Sequence, residues 1–366
     1  MIKRLVWIIP FFLILDSCGG SSGGSSTTPS FCTPSGGTSY SGKNYSFSVP
    51  TGIAVDGNDN VWVTNTNGNT VTEIPSSNPN APIVYSSTPY HFDLPADVAI
   101  DGNNNVWITN LNGSSVTEIP SATPNSPTVF FNPSGSTNFS APLGIAVDTT
   151  NNVWVVNKTG GTLSSGSITY MPASTPTSTI VYSGSTYGFN NPTMDALDGS
   201  NNLWVTNSIG SSVIELPASN RTSPVTYSGG LYGFINPFGV ATDHSGNIWI
   251  TDNSANSVVE IPASSPNNPN VYNASKYSFS EPSGIAVDGA NNVWVVSNDG
   301  GIITEIPSSN PNAPNVFKST DSCTNLSGTY TGIAIDSKGN VWASNNTNNS
   351  VTELVKAAVT TTVPLR

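Results

Sequence analysis

Apolar and polar positions along the chain form one motif that recurs seven times. In its first copy, the apolar residues 52–55 (GIAV) are followed by five turn-forming residues, 56–60 (DGNDN), and then by residues 61–65 (VWVTN). Two short strands joined by such a turn are typical of a β-hairpin, whose strands we label a and b. Because both strands are apolar on both faces, we expect other sheets to cover them on both sides.

Two further strands complete each repeat. Residues 71–74 (VTEI) predict strand c, which ends at Pro75 because proline cannot continue a β-ladder. A turn rich in Pro, Asn and Ser leads to a short strand d at residues 83–85, and a linker of the form Tyr-x-Phe-x-x-Pro opens the next repeat. Four strands in about 45 residues form the blade unit of a β-propeller.

The tryptophans give the number of blades. Seven of the eight occur at the same place in strand b, 45 to 50 residues apart. They are Trp62, Trp107, Trp154, Trp204, Trp249, Trp294 and Trp342. The sequence therefore predicts an all-β fold, a seven-bladed β-propeller of four-stranded antiparallel blades over residues 38–354. We expect the tryptophans to pack between blades rather than to form a sugar-binding platform.

The seventh repeat lacks a strand d. The tail, residues 355–366, contains neither the Pro-Asn turn nor the Val-Tyr strand, whereas the sequence Ser39-Tyr40-Ser41 before the first repeat matches the missing strand. We therefore predict that an N-terminal strand closes the ring as the outer strand of the seventh blade, since closure hides exposed strand edges.

Residues 1–17 have the pattern of a signal peptide: a positively charged start and an apolar run too short to span a bilayer. Leu15 and Ser17 before Cys18 resemble a lipobox, which implies cleavage before Cys18 and acylation of that cysteine. Residues 18–37 then form a Gly/Ser-rich tether. We expect an exported lipoprotein, anchored on the periplasmic or outer cell surface. An ordinary signal peptide with an unmodified Cys18 is the alternative.

Composition limits the classes of partner. The formal net charge is −12 and no basic run exists, so nucleic-acid binding is excluded. If Cys18 carries lipid, Cys32 and Cys323 remain, and export permits a disulfide between them. No zinc spacing, phosphate loop or dinucleotide fingerprint appears, so we expect no metal and no cofactor. We expect a monomer.

The motif PxGIAVDxxxNVWVTN resembles the NHL-repeat family, and residues 239–252 resemble repeats of the streptogramin (virginiamycin B) lyase-like propellers. The resemblance covers residues 38–354 and implies the propeller fold. It also implies that the segments entering strands a line the upper mouth of a central channel. It is weak for function, because related propellers serve as binding platforms, lactonases and lyases. The lyase-like family relies on a histidine and an acid, and neither histidine here matches its motif.

Candidate site residues are those that depart from the repeat. The aspartate ending each strand a recurs in every blade, which favours a structural turn cap over calcium binding. The departures near the predicted channel mouth are His91, Asp93, Asp97, Met194, Asp195, Phe238 and Asp252. His91 and Asp97 are weak candidates for general acid–base catalysis, with neutral loop variation as the alternative. His244 is expected to be a turn residue.

Two functions follow from this pattern. The first is a membrane-tethered, non-enzymatic platform that binds a protein or a glycan. The second is a lyase- or lactonase-type enzyme with its site at the channel mouth. The lack of a recognisable catalytic set favours the first.

Overall fold

The computed structural model describes residues 37–86, 88–132, 138–159, 165–318 and 326–358. Cys18, Cys32 and Cys323 lie outside these ranges, as do the signal peptide and nearly all of the tether. The lipid anchor and the disulfide therefore stay predictions.

The described residues form seven four-stranded antiparallel sheets, which confirms the all-β propeller with seven blades. Blades 1 to 3 comprise β2 (Pro50–Val55), β3 (Val61–Asn65), β4 (Thr70–Ile74), β5 (Ile83–Ser86), β6 (Pro95–Ile100), β7 (Val106–Asn110), β8 (Ser115–Ile119), β9 (Thr128–Phe131), β10 (Pro142–Val147), β11 (Val153–Asn157), β12 (Ser167–Met171) and β13 (Ile180–Ser183). Blades 4 and 5 comprise β14 (Pro192–Leu197), β15 (Leu203–Asn207), β16 (Ser212–Leu216), β17 (Val225–Ser228), β18 (Pro237–Thr242), β19 (Ile248–Asp252), β20 (Ser257–Ile261) and β21 (Asn270–Asn273). Blades 6 and 7 comprise α1 (Ala274–Tyr277) in the linker, β22 (Pro282–Val287), β23 (Val293–Ser297), β24 (Ile303–Ile306), β25 (Asn315–Phe317), β26 (Tyr330–Ile335), β27 (Val341–Asn345), β28 (Ser350–Leu354) and β1 (Gly37–Ser41).

Two faces of the ring follow from this topology. Strands a run from the upper face, where the linkers and the b–c turns lie, to the lower face, where the a–b and c–d turns lie. Every strand a has a bulge near its start; in β2 the register with β3 shifts between Pro50 and Ile53. The bulge leaves the first residues of strand a out of register with strand b and close to the neighbouring blade.

An aspartate organises the lower face of each blade. Asp56 Oδ1 accepts the backbone N–H groups of Asn58 and Asn60, and its Oδ2 accepts the Trp62 Nε1–H at 3.0 Å. The aspartate–tryptophan bond recurs in all blades, at Asp101–Trp107, Asp148–Trp154, Asp198–Trp204, Asp243–Trp249, Asp288–Trp294 and Asp336–Trp342. The structural interpretation of these aspartates is confirmed.

The core lies between blades. The cluster between blades 1 and 2 joins Trp62 and Tyr85 of the first blade to Phe92 and Val98 of the second. Each tryptophan packs on an aromatic ring of its own strand d, as Trp62 does on Tyr85 with ring centroids 5.3 Å apart. The expected inter-blade packing of the tryptophans is confirmed.

The strand-c glutamates bond the outer strand of their own blade. The hydroxyl group of Tyr85, on strand d, donates to Glu73 Oε2 at 2.8 Å. Glu215 and Glu260 accept the corresponding bonds from Tyr227 and Tyr272. These glutamates therefore join strands c and d and are partly buried under the aromatic rings.

Blade 7 takes its outer strand from the start of the described chain. β1 pairs antiparallel with β28, with Tyr40 opposite Val351. The Tyr40 ring stacks on Trp342 at 5.4 Å, and its hydroxyl group donates to Glu353 at 2.7 Å. Tyr40 thus makes the contacts that Tyr85 makes in blade 1, which agrees with the predicted N-terminal closing strand.

Candidate functional site

Strands a enclose a central channel with a cavity of about 1160 Å³. Its wall in each blade is formed by the last apolar residues of strand a, such as residues 53–55 and 98–100. Asp195 is the one charged residue at this level of the described lining, since it stands where the other blades have Ile or Val. At the level of strands a, the cavity wall is therefore largely apolar and carries one carboxylic acid, Asp195.

Adjacent strands a approach closely just above this wall. A Cβ atom on Gly332 would lie 2.4 Å from the Thr51 carbonyl oxygen, and one on Gly52 would lie 2.7 Å from the Asp97 Cα atom. Glycine is needed there because the backbones leave no room for a side chain. Blades 2 and 4 depart from this rule, with Asp97 and Met194 at the glycine position.

Asp97 is held by backbone groups of two blades. Its Oδ1 accepts the Val98 N–H at 2.9 Å, and its Oδ2 accepts the Ile145 N–H of blade 3 at 3.3 Å. Burial raises the pKa of Asp97 to about 6, although the two backbone bonds favour the ionised form. This carboxyl group therefore titrates well above the usual range for aspartate.

Asp195 has a more extreme environment. The residue as a whole is half-buried beside the channel, but both carboxylate oxygens are shielded from solvent and have no hydrogen-bond partner in another residue. Burial raises its pKa well above the ordinary value, and the negative charge of Asp97 raises it further. Both effects favour the protonated form of Asp195 over the ionised one.

The two carboxylic acids meet at blade 3. Asp97 accepts from Ile145 on one side, and Asp195 Oδ1 would lie 3.0 Å from a Cβ atom placed on Gly144 on the other. Asp97 and Asp195 are thus brought together through strand β10, although each belongs to a different blade. The charge of Asp97 raises the pKa of Asp195, so the two acids are electrostatically coupled.

Met194 and Phe238 lie at the next junction between blades. The Met194 N–H donates to Thr206 Oγ1 at 3.0 Å, and the Thr206 hydroxyl group donates to the Phe238 carbonyl oxygen at 2.6 Å. Met194 packs against the cluster that contains Trp204 and Val240, and Phe238 is half-buried. Both residues lie near the upper end of the channel.

The other predicted residues serve the upper face. His91 is exposed and meets Phe131 of the outer strand β9 edge to face, with ring centroids 5.5 Å apart. Asp93 accepts the side-chain N–H of Asn112 at 2.8 Å, which joins the linker to the b–c turn of its blade. His91 and Asp97 therefore have different partners, one on an outer strand and one on inner strands.

Asp252 is fully buried at the end of β19. Its carboxylate accepts the backbone N–H groups of Ile235, Asn236 and Ala255 at 2.7 to 3.0 Å. These three bonds occupy its oxygens and fix the linker that enters blade 5.

A second part of the cavity was missed by the repeat comparison. The cavity reaches the lower face at blades 4 and 5 only, where residues 198–200 and 243–246 line it together with Glu215 and Pro266. His244, expected to be a turn residue, lies here and its ring bonds Asn291 Oδ1 at 2.7 Å. The signal in the sequence was Gly246, which replaces the Asn or Asp found in five of the other six a–b turns.

Within the described ranges, no group of three or more His, Cys, Asp or Glu residues is placed to hold a metal ion. Over the same residues, no helix is both long and apolar enough to cross a membrane.

No family model matches the sequence. No curated protein matches it either. Among solved structures, a streptogramin B lyase superposes with a TM-score of 0.71 at 16% identity, over 87% of this chain and 96% of that one. A catalytically inactive virginiamycin B lyase from Staphylococcus aureus, with quinupristin, gives 0.72 at 16% identity over 87% and 98%. The extracellular domain of a hybrid two-component system from B. thetaiotaomicron gives 0.69 at 15% identity, over 88% of this chain and 41% of that one. The resemblance to the lyase-like propellers is confirmed as a shared fold.

Proposed function

We propose that this protein is an exported, membrane-tethered propeller that binds a protein or a glycan and does not catalyse a reaction. The observation that carries the proposal is that each histidine is paired with a residue other than the coupled acids Asp97 and Asp195. His91 lies against outer-strand Phe131, His244 bonds Asn291 on the lower face, and the shielded acids Asp97 and Asp195 lie at strands a. General acid–base chemistry needs such groups to converge on one substrate.

The lyase alternative has support from the fold but less from the residues. The virginiamycin B lyase compared above is described as catalytically inactive when one histidine is replaced by alanine. This chain has two histidines in all. The His91 ring packs on Phe131 and the His244 ring bonds Asn291, so each histidine is paired with a group other than a carboxylate. The extracellular domain of the hybrid two-component system, which has the same fold, supports a location outside the cytoplasm.

On the upper face we propose Phe238 as the apolar contact and His91, Asp93 and Asp97 as polar contacts, with Met194, Asp195 and Asp252 behind them. A hydroxyl-rich or cationic group suits such acceptors. With a partner in hand, we expect Phe238→Ala to weaken binding at least tenfold, with smaller losses for His91→Ala and Asp97→Asn, as measured by calorimetry with the full mature chain. Unchanged affinity in all three variants would exclude the upper face. Turnover that is lost in His91→Ala would establish the enzyme instead.

The lipid anchor has its own test. We expect Cys18 to carry lipid and residues 1–17 to be absent from the mature protein, because residues 15–18 resemble a lipobox before a polar tether. Intact-mass measurement of the membrane-extracted protein decides this. Cys18→Ser should move the protein from the membrane to the soluble fraction. A retained N-terminus, or an unmodified residue 18, would contradict the anchor.

A further inference from the structure

Side chains in the a–b turns tie neighbouring blades together on the lower face. Asn104 Oδ1 accepts the Gly57 N–H of the preceding blade at 2.8 Å. Three other junctions have an equivalent bond, at Asn151–Gly102, Asn291–His244 and Asp59–Ser337. Between blades 3 and 4 the Asn201 side chain bonds the Thr149 hydroxyl group instead. All five bridging residues have a left-handed φ of 60° to 65°. The bridge is therefore a regular device that closes the junction between blades.

Two junctions have a glycine in place of the bridging residue. At the first, between blades 6 and 7, the Ala358 N–H donates to the Gly339 carbonyl oxygen at 3.0 Å. Ala357 and Ala358 pack against the cluster that contains Trp294. Trp294 is 0% exposed, whereas the other six blade tryptophans are 3 to 5% exposed. The chain that follows strand c thus covers this junction.

The second junction, between blades 4 and 5, has Gly246 opposite Gly199. A Cβ atom on Gly199 would meet nothing within 4 Å, and its N–H makes no hydrogen bond with the described residues. The cavity opens here, between residues 198–200 and residues 243–246, over Trp204 and Glu215. We call this opening the blade 4–5 groove.

The groove is acidic. Asp198, Asp243 and Glu215 line it, whereas none of the described lining residues is a lysine or arginine. The two aspartates are engaged in their own turns through Asn202 and Asn247. Glu215 accepts one bond, from the Tyr227 hydroxyl group at 2.8 Å. The field of the groove therefore attracts cations.

The neighbouring junction, between blades 3 and 4, holds a cation over a blade tryptophan. The Arg221 guanidinium lies 4.5 Å from the centre of the Trp154 ring and donates to the carbonyl oxygens of Leu216 and Asn201. In blade 5 the same place in the c–d turn is taken by Pro266. Trp204 thus lacks the cation that its counterpart Trp154 has.

We propose that the blade 4–5 groove binds an extended, basic peptide segment of a partner protein. Its backbone N–H donates to the Gly246 carbonyl oxygen, as Ala358 does to Gly339. Its arginine or lysine side chain reaches Glu215 and Trp204, as Arg221 reaches Trp154. The proposal rests on the proposed binding function and places a contact on the lower face.

The deciding variant is Gly246→Asn. Residue 246 already has a left-handed φ of 80°, and a Cβ atom there would meet only Ala263 at an ordinary 3.5 Å. Asparagine tolerates left-handed backbone angles better than most residues, so it should restore the bridge to Gly199 and close the groove. Glu215→Gln is the second variant, because it removes the charge and still accepts from Tyr227. Asn151→Gly removes a bridge elsewhere and is the matched control.

The probe is a fluorescein-labelled, amidated peptide, Ala-Ala-Val-Arg-Ala-Ala-Ala, with a Gln-for-Arg peptide as its partner, titrated by anisotropy against the full mature chain. We expect saturable binding that weakens at least tenfold in Gly246→Asn and with the Gln peptide, and about fivefold in Glu215→Gln. Asn151→Gly should bind as the wild type does. Phe238→Ala changes the proposed upper-face contact and separates binding at that face from binding in the groove. Wild-type binding should also shift the Trp204 indole N–H resonance, assigned with Trp204→Phe.

The groove proposal is overturned if the peptide does not bind. It is also overturned if the wild type, Gly246→Asn and Glu215→Gln bind the peptide equally well. Loss in Phe238→Ala alone also overturns it and leaves the binding platform on the upper face intact. If a partner protein binds the groove variants and the upper-face variants as tightly as it binds the wild type, the binding platform itself is rejected.

Discussion

Replacement of Tyr40 by alanine should lower the free energy of unfolding by about 3 to 5 kcal/mol, since truncating a buried aromatic residue has this effect. Tyr40 is 9% exposed, stacks on Trp342, and donates to Glu353. These contacts hold β1 on β28, so their loss should also expose the edge of β28 and favour aggregation. Urea unfolding at equilibrium measures the first effect, and light scattering on heating measures the second.

Tyr85→Ala is the matched control. Tyr85 is 5% exposed and makes the same two kinds of contact, with Trp62 and Glu73, inside a blade made from one continuous stretch. We expect a similar loss of unfolding free energy but less aggregation, because blade 1 keeps its outer strand near its neighbours in sequence. If Tyr40→Ala unfolds like the wild type while Tyr85→Ala is destabilised, then β1 does not close the ring.

The double variant Asp97→Asn with Asp195→Asn should remove a large pH dependence of stability. The folded pKa of Asp97 is raised to about 6 from 3.8, so its folded form holds the proton more tightly than the unfolded chain does. The resulting stabilisation is fully present below about pH 4 and is lost as pH rises through about 6. A shift of about two pKa units corresponds to about 3 kcal/mol. Asp195, whose pKa is raised well above normal, should extend the loss to higher pH.

Urea unfolding at several pH values from 4 to 8 measures this slope. The difference between wild type and the double variant isolates the pair, because other carboxyl groups with a raised pKa, such as Glu73 and Glu305, are common to both. Met194→Leu changes the adjacent packing without a titrating group and should keep the wild-type slope. An identical slope in wild type and the double variant would mean that these acids titrate alike in the folded and unfolded chains.

The fold could be predicted from the sequence because the contacts that define a blade lie within one repeat. Asp56 and Trp62 are six residues apart and bond each other, so the motif that is visible in the sequence is also the unit that folds. The departures at Asp97 and Asp195 were visible for the same reason. Their meeting at Gly144 was not, because it depends on how blades 2, 3 and 4 align side by side.

Two features of the site needed coordinates for different reasons. His91 has a left-handed φ of 53° and meets Phe131, which spacing along the linker does not reveal. The groove at Gly246 arises from a missing side chain, and a glycine in a turn is usually explained by its backbone angle. Only the bridges at the other junctions show what that glycine leaves open.

The pairing of β1 with β28 also sets the order in which the molecule can be completed. Tyr40 and Glu353 are 313 residues apart, so the first strand to be synthesised receives its partner last. Blades 1 to 6 each contain their four strands in one continuous stretch and can form as the chain emerges. Blade 7 cannot form until nearly the whole chain has been made. During that interval the segment around Tyr40 stays unpaired. Its position next to the polar, Gly/Ser-rich tether is compatible with this.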